Sequence, residues 1–164
     1  MTSFRKFALA MIAGASLAVA SSAVSAATVV KVDLWDRGAD VTMNTTLAYT
    51  GAKLDKSKAT MGITATPTSV PAGEISFEVT NTSKDTVHEM IVMYLADPAK
   101  ALPYIEGDAK VDEDKAGDKG EVSELDPGKS GVLTVELKPG KYLLICNVVG
   151  HFAAGMWTEF EVTK

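Results

Sequence analysis

Cys146, His151 and Met156 stand near the C-terminus at the spacing Cys-x4-His-x4-Met, in the run Cys146-Asn147-Val148-Val149-Gly150-His151-Phe152-Ala153-Ala154-Gly155-Met156. Cys146 is the single cysteine of the chain. His151 is one of two histidines, and the other, His88, lies in an apolar run that reads as a strand. The soft thiolate and imidazole chemistry is therefore concentrated on what reads as one site. One thiolate, two imidazoles and a thioether form the donor set of a blue-copper electron-transfer centre. Thiolate and thioether suit Cu(I) and imidazole suits both oxidation states, so little has to move when an electron arrives.

A single histidine on an apolar strand is ordinarily a satisfied core residue, and His88 becomes a ligand candidate through the Cys-His-Met loop elsewhere in the chain. A Cys-His catalytic dyad needs a thiolate activated at a helix N-terminus beside an open cleft, and the strand pattern before Cys146 does not provide one. Structural zinc rarely takes Met. Met90 and Met93 read as core filling rather than as a methionine cluster.

The elements that must carry the site are strands. Val30, Val32 and Leu34 alternate with Lys31 and Asp33, the period-2 pattern of a half-buried strand. Met61-Ile63-Ala65, Ile75-Phe77-Val79 and Leu133-Val135-Leu137 alternate in the same way. Val87 to Leu95 is apolar on both faces except at His88 and Glu89, which predicts a central strand. Pro71-Ala72-Gly73 and Pro139-Gly140 mark turns, the second leading into Tyr142 to Cys146, and Trp157 to Val162 closes the domain. About seven to eight short strands with Pro-Gly punctuation predict an all-β sandwich. Residues 27–164 read as one domain, with no internal repeat. Arg37 to Ala59 is expected to be a loop with a short helical turn, and Ala96 to Ser130 a longer interruption.

Arg5 and Lys6, the apolar run Phe7 to Ala20 and the small residues Val24-Ser25-Ala26 read as a secretory signal peptide, residues 1–26, and export to the periplasm is expected. The apolar run is shorter than a membrane span of about 20 residues. An exported chain with one cysteine is unusual, because cysteines there generally pair; ligation to a metal would account for it. Without Arg5 and Lys6, 14 basic residues face 21 acidic ones, a net charge of −7. That balance argues against nucleic acid or an anionic membrane as partner. Between Glu106 and Asp126 nine acids face three lysines. This segment is either a solvated loop or a docking patch for a basic redox partner. Asp112, Asp114 and Asp118 lack the Gly and terminal Glu of a calcium loop.

The run Gly140-Lys141-Tyr142-Leu143-Leu144-Ile145-Cys146 with Gly150-His151 and Gly155-Met156 resembles the last two strands and ligand loop of the cupredoxins, in spacing most like rusticyanin and sulfocyanin. The resemblance covers the chain from Pro71 onward and fades over Arg37 to Ala59 and the acidic segment. It implies a Greek-key β-sandwich, one type 1 copper, and one-electron shuttling between larger redox proteins. It carries over His88, Cys146 and His151 as equatorial ligands and Met156 as the axial one. Gly150 and Gly155 are expected to let the loop backbone turn closely around the metal.

Two positions depart from the family pattern. Val149 stands where many loops have Pro, and Glu89 where many members have Asn after the first ligand histidine. Strand alternation points Glu89 away from His88, so a solvent-facing rim residue is expected; the alternatives are a hydrogen bond to the ligand loop, or a carboxylate that tunes or joins the coordination. Three functions were compared. A copper oxidase or reductase of this fold needs further copper centres, and two histidines do not supply them. That leaves a non-enzymatic, monomeric electron carrier, or a copper-binding protein that buffers the metal and confers tolerance. Absence of a His-rich tract favours the carrier, with Phe152-Ala153-Ala154 expected to form an apolar docking surface around His151.

Overall fold

The computed structural model describes residues 26–164; the expected signal peptide, apart from Ala26, lies outside the described residues. In chain order the strands are β1 (Thr28–Asp36), β2 (Met61–Thr66), β3 (Ser69–Pro71), β4 (Gly73–Asn81), β5 (His88–Tyr94), β6 (Tyr104–Ile105) and β7 (Lys110–Val111). After a single helical turn, α1 (Glu113–Ala116), come β8 (Asp118–Leu125), β9 (Ser130–Leu137), β10 (Gly140–Ile145) and β11 (Trp157–Thr163). A four-stranded sheet in the order β2-β1-β4-β9 faces a five-stranded sheet in the order β3-β11-β10-β5-β8. The chain visits the second sheet briefly at β3, returns for β4, crosses again between β4 and β5, comes back between β8 and β9, and crosses a last time into β10. This is the sandwich the alternation predicts, and eight of its strands have six or more residues.

Period-2 patterning explains the central core. Val30, Val32 and Leu34 of β1 and Ile75, Phe77 and Val79 of β4 point inward and meet Met90, Val92, Leu144 and Phe160 of the other sheet. Burying each such side chain contributes about 1.5–3 kcal/mol.

The five-stranded sheet is also covered on its outer face. Ile91, Met93, Leu143, Ile145 and Trp157 pack there against Tyr49, Leu102, Val111 and Phe152. The covering residues come largely from the two segments that the strand pattern treats as interruptions. Trp157 Nε1 donates to the Leu47 carbonyl at 2.7 Å, and Leu47 N donates to the Ala153 carbonyl at 2.8 Å, pinning the first segment across the sheet. This explains why β5 is apolar on both faces. It also separates Met90, in the central core, from Met93, in the outer cluster.

Two expectations need correction. The Arg37 to Ala59 segment contains turns but no helical turn; among the described residues the one helix is α1. The acidic segment is not a single loop, for it contains α1 and the eight-residue β8. β8 escaped notice because it is an edge strand in which only Val122 is buried, and charged residues are what an unpaired sheet edge favours. Among the described residues no helix is long and apolar enough to cross a membrane.

A buried asparagine holds the connection that delivers β5. Asn81 is fully buried, and its Nδ2 donates to the carbonyls of Thr86 and Leu125, both at 2.8 Å. Its Oδ1 accepts from Ser83 N at 3.0 Å. Leaving buried carbonyls unpaired costs about 1–3 kcal/mol each. Asn81→Ala is therefore expected to lower the urea midpoint of the metal-free protein by the equivalent of about 2–4 kcal/mol with little change in m value. An unchanged midpoint would show that water replaces the side chain without cost.

Candidate metal centre

The ligand loop is a hairpin connection between β10 and β11. Cys146 N donates to the Met156 carbonyl at 3.0 Å and closes its base. Within it His151 N donates to the Val148 carbonyl, Ala154 N to that of Gly150, and Met156 N to that of His151. Gly150 and Gly155 have φ of +81° and +93°, the left-handed region that glycine enters without strain. At Gly155 a Cβ would also lie 3.2 Å from that of Leu47. Closing a loop of about ten residues costs roughly 2 kcal/mol in chain entropy. Burial of Phe152 and Met156 at about 1.5–3 kcal/mol each offsets it, so the loop packs down rather than standing free.

Three donors meet at this loop. His88, at the start of β5, presents Nδ1 to His151 Nδ1 at 3.3 Å, and Cys146 Sγ lies 3.4 Å from the same His151 nitrogen. The candidate ligand atoms of His88, Cys146 and His151 all lie within 4.8 Å of one another. A first-row metal about 2.0 Å from nitrogen and about 2.3 Å from thiolate would space its donors by about 3.3–3.7 Å at angles of 110–120°. The two distances from His151 Nδ1, 3.3 Å to His88 Nδ1 and 3.4 Å to Cys146 Sγ, are within a few tenths of an ångström of that, and the three donors together fit one small metal ion. Met156 is fully buried and shares the central core with Cys146. A thiolate with two imidazoles favours copper over the harder cations.

The electrostatics are those of a dry site. Burial pushes the Cys146 thiol up to about 12, although backbone N–H groups of Glu89 and Val148 directed at the sulfur partly offset it. Burial and the neighbouring His88 take His151 down to about 4. Burial also lowers His88, against the raising influence of Asp36. At neutral pH both rings are therefore neutral, the form that binds a metal, while the thiol keeps its proton until a cation displaces it.

Polar residues around the donors hold them in place, and strand periodicity alone did not single them out. Asp36, at the end of β1, accepts from His88 Nε2 at 2.8 Å. Burial pushes its carboxyl up, but hydrogen bonds from His88, Gly38 and Thr86 outweigh this and hold it below its ordinary value. Asn147, also buried, accepts from Val111 N at 2.7 Å and donates to the Val111 carbonyl and to Glu113. Gly150 N donates to the Ala109 carbonyl at 2.9 Å. The acidic segment is thereby clamped directly to the ligand loop.

Two sequence expectations fail here. Glu89 is not a solvent-facing rim residue; it is 8% exposed and accepts from Asn147 N at 3.0 Å. Alternation does turn it away from His88, but that face of β5 is covered by the outer cluster rather than by water. It links the strand of the first histidine to the ligand loop, and burial raises its carboxyl above the ordinary range. Phe152, Ala153 and Ala154 do not form a surface either, because all three are buried. The exposed apolar side chains at this end are Val149, 58% exposed, and Met43, whose methyl group lies 3.5 Å from where a Cβ of Gly150 would stand.

Comparison with known proteins agrees with this geometry. The profile of the sulfocyanin (SoxE) domain matches residues 39–164. The match thus includes the acidic segment and all but the first two residues of the Arg37 to Ala59 segment, over which the sequence resemblance faded. Among solved structures, auracyanin from Roseiflexus castenholzii, reduced with dithionite, superposes with a TM-score of 0.52 at 19% identity, covering 85% of this chain and 99% of that one. Auracyanin B gives 0.54 at 22% identity, covering 85% and 91%. Rusticyanin from Thiobacillus ferrooxidans gives 0.53 at 18% identity, covering 85% and 79%. At these identities the superpositions establish the shared fold. No curated protein matches the chain in sequence. The family match spans most of the chain, and with the His-Cys-His cluster brought together by a cupredoxin fold the protein belongs to the sulfocyanin (SoxE) domain family.

Proposed function

We propose that this chain is an exported, monomeric one-electron carrier, in which His88, Cys146, His151 and Met156 would hold one copper ion. The observation that carries the reading is the mutual approach of the two Nδ1 atoms and the cysteine sulfur at 3.3 and 3.4 Å in a buried pocket. Copper, when bound, alternates between Cu(I) and Cu(II) and so stores one electron. The protein's part is to keep the donors in nearly one arrangement for both states. β5 supplies His88, the end of β10 supplies Cys146, and the glycine-hinged loop supplies His151 and Met156.

The two histidines differ in access. His88 is fully buried behind Asp36, whereas His151 keeps 6% of its surface exposed beside the exposed Val149. Electrons would pass through the His151 edge. A recess of about 410 Å³ opens beside the loop, lined by Gly150, Phe152, Ala153 and Tyr104 but not by His151 itself. The acidic segment borders the same loop through the Gly150–Ala109 and Asn147–Val111 hydrogen bonds. This end therefore suits a basic redox protein, which seats an apolar contact over His151 and is steered by Glu106, Asp108 and Asp114. An electron carrier needs no open coordination position, and a site closed by four protein ligands offers none to a substrate. The signal-peptide pattern in residues 1–26 supports a periplasmic location.

Addition of one equivalent of Cu(II) to the purified protein is expected to give a strong thiolate-to-copper absorption band. The band should bleach with ascorbate, return on reoxidation, and vanish in Cys146→Ser. Tight binding without colour would replace the carrier with a copper-buffering protein. Survival of the band in Cys146→Ser would remove the ligand assignment altogether.

Copper affinity is expected to rise with pH. The thiol near 12 keeps its proton in the metal-free protein and loses it on binding, while His151, near 4, is already neutral. Between pH 6 and 8 the apparent affinity should therefore increase about tenfold per unit, with about one proton released per copper. Calorimetry in buffers of different ionisation enthalpy counts that proton; none released would mean that the sulfur does not bind as thiolate.

Neutralising the exposed acids Glu106, Asp108 and Asp114 together to the amides is expected to slow electron exchange with a basic cytochrome c by about tenfold or more at low ionic strength. Raising the salt concentration should abolish the difference. Equal rates in stopped flow would leave the acidic segment as a solvated loop.

A further inference from the structure

Asp36 sets a carboxylate against the outer nitrogen of His88. It follows Val30, Val32 and Leu34 in the inward register of β1, so a carboxylate takes the next core-facing position. Its side chain is 4% exposed. A carboxylate so placed is costly unless its oxygens are satisfied. Here Oδ1 accepts from Gly38 N at 2.7 Å and Oδ2 from His88 Nε2 at 2.8 Å. β1 belongs to the four-stranded sheet and β5 to the five-stranded one. The Asp36–His88 contact therefore joins the two sheets at the metal end.

The contact decides which nitrogen of His88 carries the proton. With Nε2–H given to the carboxylate, Nδ1 is left bare and faces His151 Nδ1 and the Cys146 sulfur. A carboxylate on the outer nitrogen of a metal-binding histidine fixes the ring and makes it a stronger donor. It also places a fixed negative charge one imidazole ring from the metal, in a buried place where salt screens poorly. Negative charge favours the more highly charged oxidation state.

We propose that Asp36 is a positioning residue of the metal centre. It selects the Nδ1-binding tautomer of His88 and, through its charge, shifts the copper couple toward Cu(II), lowering the reduction potential. This rests on His88 being a copper ligand, as proposed above.

The test has two arms. In the metal-free, unaltered protein, ¹⁵N-resolved NMR is expected to show His88 as the Nε2–H tautomer, and Asp36→Ala to lose that preference. With copper bound, Asp36→Asn removes the charge while keeping an oxygen of similar size. The variant should retain the thiolate-to-copper band while its preference moves toward Cu(I) by about tenfold, a rise of 59 mV for a one-electron couple. An Nδ1–H tautomer of His88 in the unaltered protein overturns the proposal, even where the variant does not fold. So does an unchanged potential in a variant with an intact band. Absence of the band from the unaltered protein overturns the ligand assignment first, and Asp36 with it.

Discussion

The metal end depends on one constraint: both faces of β5 and β10 must be kept from water. Inward side chains of the four-stranded sheet cover one face, and the 37–59 and 96–117 segments cover the other. Cys146 and His88 stand at the ends of these doubly covered strands and are fully buried. That burial pushes the thiol to about 12 and His151 to about 4. It also places neutral imidazoles and a shielded sulfur together. Were either cover removed, water would reach the donors and compete for the metal.

Such a dry site demands that every polar group near it be answered. Asn147 bridges the ligand loop to Val111 and Glu113, Glu89 accepts the Asn147 N–H, and Asn81 ties the turn that leads into His88. Each unmet group would cost about 1–3 kcal/mol, comparable to a large part of a small domain's net stability of about 5–15 kcal/mol. The outcome is a loop whose backbone and neighbours are held by hydrogen bonds within the protein itself. Donors held in place are what a one-electron carrier needs, because a site that does not rearrange exchanges electrons with little reorganisation.

The site is also asymmetric. One histidine is sealed by a carboxylate and the other reaches the surface. The acidic segment lies on the loop that carries the surface histidine because Asn147 and Gly150 clamp it there. Access, charge and apolar contact therefore coincide at one end of the sandwich.

Much of this was legible in the sequence, for a physical reason. Period-2 alternation determined the core faces of β1, β2, β4 and β9. The Cys-x4-His-x4-Met spacing, with glycines before the His and the Met, singled out the candidate donors, of which Cys146 and His151 come together with His88 in the fold. What periodicity cannot report is what lies across from a residue. Glu89 was read as facing water because alternation gives a direction and not a neighbour, and only the folded outer cover made it a buried acceptor. Phe152 to Ala154 looked like a surface because the loop's own packing is a tertiary matter. Asp36 carried a faint local signal, an acid in the inward register of an apolar strand. Its partner lies 52 positions away on the other sheet. Contacts between distant segments are decided by how the sheets pack, and in that packing the sequence's short-range pattern has no say.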